Sequence, residues 1–323
     1  MRMEMKGIYR VIKFICSIEF MRMSLLWPLY LVFSHLRLFR GRHYSTTFPR
    51  QLVFDRPVCI VTGATSGLGA AATKALSKQG FFVILVGRSG HLLSKTMAEI
   101  RKQNEDAQLE AFEVDLSSFS SIMKLKNSLT QWLLDMNLHP SIQLLINNAG
   151  ILATSYRPTD DVNDVQVDEE LVYGKSFSNF KQYPFAQIYG CSKLCILLFS
   201  YELHRQFSKD KDSQLSINVA DPGAVRTNIM REIPQCLSQL AFAVLRFLGI
   251  LHFPEKGISS ILDAALAPPE TSGMYFFGGK GRTINSSPLS YNKMLAKRLW
   301  GTSCDIFQEL KRIHEKSSIS VCD

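Results

Sequence analysis

The sequence predicts an α/β chain built on a doubly wound parallel sheet in a single domain. Two observations carry that expectation: short apolar strands alternate with helical segments from Val58 onward, and a glycine-rich turn joins the first strand to the first helix.

In order, VCIVTG is a short apolar strand, and GAAATKALSKQG is a helix closed by Gly80 at its C′ position. FFVILVG is a second strand and HLLSKTMAEIRKQNE a second helix. LEAFEVDL alternates as a third strand, SIMKLKNSLTQWLLDM is an amphipathic helix, and IQLLIN is a fourth strand. The pattern resumes with a helix around YGCSKLCILLFSYELHRQF, the strand LSINVADPG and, after a mixed region, the strand GMYFF from Gly273 to Phe277. No internal repeat is apparent.

The chain has 323 residues, 46% hydrophobic and 20% charged, which describes a globular protein with a sizeable core. Its net charge of +9 is uneven. Arg2, Lys6, Arg10, Lys13, Arg22, Arg37, Arg40, Arg42 and Arg50 face only Glu4 and Glu19 in the N-terminal segment. No zinc finger, basic zipper or RNA-binding signature accompanies this charge, so no nucleic acid partner is expected. The seven cysteines are odd in number and scattered, which suggests a reducing compartment without a disulfide framework. Cys191 and Cys195 would share one helix face, packed inward.

Residues 1–52 differ in character from the domain expected over 53–323. MSLLWPLYLVF, from Met23 to Phe33, is apolar but shorter than the ~20 residues that span a bilayer. Extending it admits Ser34, His35 and Arg37, and Pro28 is expected to kink any helix here. The favoured reading is a membrane-surface anchor. A cleaved transit peptide and an arm packed on the domain remain open.

TGATSGLG, Thr62 to Gly69, follows a strand and opens a helix. Gly63, Gly67 and Gly69 let the backbone turn sharply and approach a pyrophosphate, and the helix N-terminus offers N–H groups to it. At the end of the second strand, LVGRSG places Arg88 where an acid would bind the ribose of NAD. An arginine there suits a 2′-phosphate, so NADP(H) is favoured over NAD(H).

TGATSGLG, VDL at Asp115, NNAG from Asn147 to Gly150, Y-G-C-S-K from Tyr189 to Lys193, and DPG at Pro222 and Gly223 occur in this order. Together they resemble the short-chain dehydrogenase/reductase family over residues 56 to about 310. The likeness is to its retinol-dehydrogenase-like branch, which includes members acting on long-chain prenols. The ending FFGGKGRTINSS…YNKMLAKRLWGTSC looks closest to plant members.

The resemblance implies a Rossmann-like fold and NADP(H)-dependent oxidation or reduction of a lipophilic alcohol or carbonyl. It implies that Tyr189 is the proton donor or acceptor and that Lys193 lowers its pKa and holds the nicotinamide ribose. On a helix these two stand at i and i+4 on one face. Gly63, Thr65, Ser66, Gly67, Leu68, Gly69, Arg88, Asp115, Leu116, Asn148, Ala149 and Gly150 would line the cofactor. Pro222, Gly223, Val225 and Thr227 would meet its nicotinamide end. An endoplasmic-reticulum-like membrane facing the cytosol is the implied location, with a plastid or mitochondrion as the alternative.

One part of the family pattern is missing. In the family, NNAG is followed by a helix carrying an active-site asparagine and a fifth strand ending in a serine. Between Gly150 and Tyr189 neither pattern occurs, and ATSYRPTDDVNDVQVDEEL, Ala153 to Leu171, has no helical or strand periodicity. An internal deletion joining the flanking segments is the simplest account, with Ser176 a weak substitute for the serine. The acidic run TDDVNDVQVDEE lacks the spacing of a calcium loop and reads as a solvated loop. The sheet would lose strand 5, leaving IQLLIN beside a gap or forcing LSINVA against it, and a homodimer would be in doubt.

CLSQLAFAVLRFLGILHF, Cys236 to Phe253, is strongly apolar. It would cover a lipophilic substrate, form a buried helix or dock on a membrane. Three functions therefore stay open: a lipophilic-alcohol oxidoreductase, an inactive cofactor-binding remnant, and a membrane-associated interaction protein.

Overall fold

The computed structural model describes residues 26–38, 41–44, 57–136, 142–154, 185–210 and 215–319. The elements run α1 (Trp27–Arg37), β1 (Arg42–His43), β2 (Val58–Thr62), α2 (Gly67–Lys78), β3 (Phe82–Gly87), α3 (Gly90–Arg101), β4 (Leu109–Glu113), α4 (Phe119–Asp135) and β5 (Leu144–Ile146). After these come α5 (Phe185–Phe207), β6 (Val219–Asp221), β7 (Ala224–Val225), α6 (Gln235–Phe247), β8 (Leu251–His252), α7 (Pro254–Gly257), α8 (Ser259–Ala265), β9 (Tyr275–Phe277), β10 (Arg282–Thr283) and α9 (Lys293–Ile319). They group into two compact units. A glycine-turn unit is drawn from Thr47–Gly150, Arg157–Asp168 and Lys297–Asp323. A tyrosine unit is drawn from Met1–Thr46, Ile151–Tyr156 and Glu169–Ala296.

The glycine-turn unit is a parallel sheet in the order β4-β3-β2-β5. Its two central strands are apolar throughout because both faces are covered. One face packs Val58, Ile60, Phe82, Ile84 and Val86 against Leu125, Leu129, Trp132 and Leu133 of α4. Those α4 residues recur at helical spacing, and Phe82 meets Trp132 edge-on with ring centroids 4.9 Å apart. Burying each large apolar side chain is worth about 1.5–3 kcal/mol. Cys59, Val61, Val83 and Leu85 alternate onto the other face, the side on which α2 contributes buried Ala72 and Leu76.

The tyrosine unit holds a second sheet, β1-β10-β9-β6, in which β6 and β9 are parallel and the other pairs antiparallel. β7 and β8 form a parallel pair beside it in the sequence. Among the described residues the strands thus fall into separate sheets, with no counterpart of the expected fifth strand. β6 pairs with β9 and not with β5, so the expected alternative of LSINVA forced against IQLLIN does not occur. Leu145 of β5 is 55% exposed, and among the described residues no strand pairs with the outer side of β5. The junction stretch beyond Thr154, the acidic run TDDVNDVQVDEE and Ser176 lie outside the described residues.

Pro28 does not kink α1. It sits in the first turn, where its missing N–H had no helical acceptor to lose. Leu31 buries against Ala224, Leu245 and Ile250, and the His35 ring meets Phe277 edge-on at 5.1 Å. No helix among the described residues is long and apolar enough to cross a membrane.

Candidate active site

The glycine turn is held by hydrogen bonds that leave no room for side chains. Gly63 has φ +66° and Gly67 φ +54°, backbone that glycine adopts without strain. A Cβ on Gly69 would lie 2.2 Å from the Gly63 carbonyl oxygen and 2.6 Å from Asn148 Nδ2. Asn148 Nδ2 donates to the Thr62 carbonyl at 2.9 Å, which ties NNAG to the turn. The buried Thr62 hydroxyl completes the tie. It accepts from the N–H groups of Asn148 and Ala149 at 3.0 Å each and donates to the Ile146 carbonyl at 3.2 Å.

Ser66 takes extended backbone at the start of α2 but gives no side-chain bond to the first turn. The turn is therefore a cradle of backbone donors at a helix N-terminus, with no Cβ in the way at Gly63 or Gly69. This fits the phosphates of a dinucleotide. Thr65 and Leu68 belong to this turn, and Ala149 and Gly150 stand exposed beyond β5.

Arg88 follows β3 and is exposed. Asp115 follows β4, with Leu116 exposed beside it. Its carboxylate accepts from the Ser117 hydroxyl at 2.7 Å and the Ser117 N–H at 2.9 Å. These bonds, with a smaller contribution from the Arg88 charge, hold the Asp115 carboxyl below the ordinary range.

Tyr189 and Lys193 lie on α5 in the tyrosine unit. The Lys193 ammonium stands 5.3 Å from the centroid of the Tyr189 ring. Tyr189 packs on Leu152, Ile233 and Leu237. Burial pushes the Tyr189 phenol up, and the carboxylate of Asp221 pushes it further. Burial pushes Lys193 down, and Asp221 pulls it partly back. On the same helix Cys191 is buried and Cys195 half-buried, and burial raises the Cys195 thiol.

DPG forms the turn after β6. Gly223 has φ +71°, and Pro222 precedes it. Val225 lies in β7, and the Thr227 hydroxyl caps the following turn by accepting from the Ile229 N–H at 3.5 Å.

The expected residues thus fall into two sets, one in each unit. The cradle, Arg88, Asp115 and Asn148–Gly150 share the glycine-turn unit, whereas Tyr189, Lys193 and Pro222–Thr227 share the tyrosine unit. Sequence reasoning missed Thr62, whose buried hydroxyl organises NNAG, and Asp221 with its partner Tyr275. A carboxylate ending an apolar strand was the available signal for Asp221.

Residues 57–174 match the family described as short chain dehydrogenase. The chain is 26% identical over 312 residues to a human polyprenol dehydrogenase, covering 84% of this chain and 90% of that one. It is 26% identical over 290 residues to mouse retinol dehydrogenase 14, covering 76% and 84%. It is 24% identical over 297 residues to the short-chain dehydrogenase TIC 32 A, chloroplastic, of Brassica napus, covering 78% and 88%. Among solved structures, levodione reductase aligns with a TM-score of 0.51 at 17% identity, over 71% of this chain and 97% of that one. An actinorhodin polyketide ketoreductase with NADPH aligns with a TM-score of 0.51 at 18% identity, over 70% and 97%. These likenesses establish the Rossmann-like fold.

Proposed function

We propose that this chain, which matches the short chain dehydrogenase family over residues 57–174 and resembles dehydrogenases over most of its length, uses NADP(H) to interconvert a lipophilic alcohol and its carbonyl, with Tyr189 as general acid and base. The observation that carries this reading is the Lys193 ammonium held 5.3 Å over the Tyr189 ring. A phenol near pKa ~10 is a poor base at neutral pH, and an adjacent cation favours its ionised form. When bound, the nicotinamide supplies or accepts the hydride. Tyr189 moves the proton at the substrate oxygen, and Lys193 stabilises the phenolate and meets the ribose.

Gly63, Thr65, Ser66, Gly67, Leu68 and Gly69 hold the pyrophosphate, with Asp115, Leu116 and Asn148–Gly150 lining the rest of the dinucleotide. Pro222, Gly223, Val225 and Thr227 meet the nicotinamide end. Arg88, exposed where an NAD-selecting acid would stand, recognises a 2′-phosphate. The polyprenol and retinol dehydrogenases among the relatives support a long apolar substrate.

A membrane surface is the proposed source of that substrate. Leu29, Phe33 and Leu36 of α1 and Leu240, Val244 and Phe247 of α6 are exposed at helical spacing, with Arg37 and Arg246 exposed beside them. A membrane of the endoplasmic reticulum is the proposed location, with a plastid or mitochondrion as the alternative.

The outer edge of β5, with no strand paired to it among the described residues, favours a second reading, a chain that binds cofactor with weakened catalysis. An oxyanion-type hydrogen bond lost from such a site costs ~10²–10³ in rate. The test is NADPH consumption with retinal and polyprenal, and NADP⁺ reduction with the matching alcohols. Turnover abolished by Tyr189→Phe supports the oxidoreductase. NADPH binding, read by its fluorescence, without turnover in the wild type supports the second reading.

A further inference from the structure

Asp221 ends β6 at the level of the Tyr189–Lys193 pair. The register of α5 against the strands establishes this. His204 Nδ1 bonds the Ser272 hydroxyl at 2.9 Å, and the same hydroxyl oxygen accepts from the Ile217 N–H at 2.9 Å. The C-terminal end of α5 therefore lies where β6 and β9 begin. Nearer the middle, Leu197 packs on the cluster of Tyr275, Phe277 and Ile284, with Val219 beside it.

From Leu197 back to Lys193 is about 6 Å along a helix. From Val219 forward to Asp221 is about 6.6 Å along a strand. The two advances match, and Tyr189 lies one turn further on the same helix face.

The carboxylate is held at both oxygens. Oδ1 accepts from the Gly223 N–H at 2.8 Å and Oδ2 from the Tyr275 hydroxyl at 2.7 Å. Tyr275 is met in turn by the Tyr30 hydroxyl of α1. Two donors on a carboxylate fix its direction.

We infer that Asp221 is a positioning residue of the reaction, the fixed counter-charge that keeps Lys193 an ammonium and keeps Tyr189 a phenol until a cofactor cation arrives. This rests on reading Tyr189 and Lys193 as the catalytic pair. The raised Tyr189 and the partial recovery of Lys193 have the signs such a counter-charge requires.

Other charged and titratable groups stand around the pair. Arg231 and Glu232 follow the turn packed on Tyr189, and Glu232 accepts from the Thr154 hydroxyl at 3.2 Å. Burial, then the charges of Lys256 and His35, push His252 down, and the His35 ring stands against Phe277. Asp221 is the carboxylate that acts on both Tyr189 and Lys193. A protonated tyrosine is the form that donates to a carbonyl oxygen.

The experiment is an ultraviolet difference titration of tyrosinate in the full chain, with the Tyr189 transition identified as the one lost in Tyr189→Phe. Asp221→Asn keeps the shape and removes the charge. It should move the Tyr189 transition down by about one pH unit, with an unchanged thermal melt. Tyr275→Phe keeps the charge and should leave the transition in place. An unmoved transition in folded Asp221→Asn overturns the inference, as does an equal shift in Tyr275→Phe. If Asp221→Asn does not fold, Asp221→Ser is read the same way, and failure of both to fold makes Asp221 architectural and overturns the role. The titration needs no turnover, so a catalytically silent chain still answers it.

Discussion

The Lys193 ammonium nitrogen stands 5.3 Å from the centroid of the Tyr189 ring, one turn along the same face of α5. Burial lowers the Lys193 pKa. As pH rises through that lowered value, the cation is lost and the phenolate loses its support. The alkaline limb of kcat/KM should therefore fall below the ordinary lysine pKa of ~10.4. Lys193→Arg, permanently charged, should remove that limb, and Lys193→Met should lower kcat by ~10²–10⁴. A pH series of initial rates checks all three.

Thr62→Val removes the hydroxyl that serves three backbone groups. Asn148 keeps an N–H bond to the Ile146 carbonyl at 3.0 Å, whereas the Ala149 N–H loses its partner. Losing a part-buried hydrogen bond of this kind costs about 0.5–1.5 kcal/mol. Denaturant midpoints should show that loss in Thr62→Val and most of it restored in Thr62→Ser.

Gly69→Ala places a methyl 2.2 Å from the Gly63 carbonyl oxygen, a backbone atom that cannot swing aside. The expected cost is about 1–3 kcal/mol, together with loss of NADPH fluorescence enhancement. Gly301→Ala in α9 is the contrast. A Cβ there meets nothing within 4 Å, so the melt should rise by an amount equivalent to about 0.5–1 kcal/mol.

Arg88→Ala should weaken NADPH binding roughly 10–100-fold and leave NADH binding nearly unchanged. A charged hydrogen bond to phosphate is worth about 1.5–3 kcal/mol. Parallel fluorescence titrations with the two cofactors check the difference, and an equal loss for both would remove the 2′-phosphate assignment.

Phe247 is 92% exposed on α6. Phe247→Glu should reduce flotation with vesicles of mixed neutral and anionic lipid and leave the thermal melt unchanged. Flotation equal to wild type would separate this helix from the membrane.

Helices and central strands were legible where one physical demand dominates. β2 and β3 read as unbroken apolar runs because both faces are buried, and α4 shows its stripe at Leu125, Leu129, Trp132 and Leu133. LSINVADPG reads as a longer strand than the three residues Val219–Asp221 that pair. Its start is taken by other partners: Ile217 bonds the Ser272 hydroxyl, and Asn218 bonds Met274 and Ala264. β1 and β10 have two residues each, too few for any periodicity. Tyr189 and Lys193 were singled out by their place in the ordered set of motifs, and their i,i+4 spacing only puts them on one helix face. Asp221 was not, because its partner Tyr275 lies 54 residues away in the chain.

The packing of α1 bears on how the chain can be processed. Leu31 fills a space lined by Ala224, Leu245 and Ile250, and β1 supplies the edge partner of β10. Proteolysis upstream of Leu26 would leave those contacts whole. A cut between His43 and Val58 would release both elements, leaving Leu245 open to water and β10 without its neighbour. A leader that ends before α1 is thus compatible with a stable mature protein, whereas one that includes it would remove a piece of the fold.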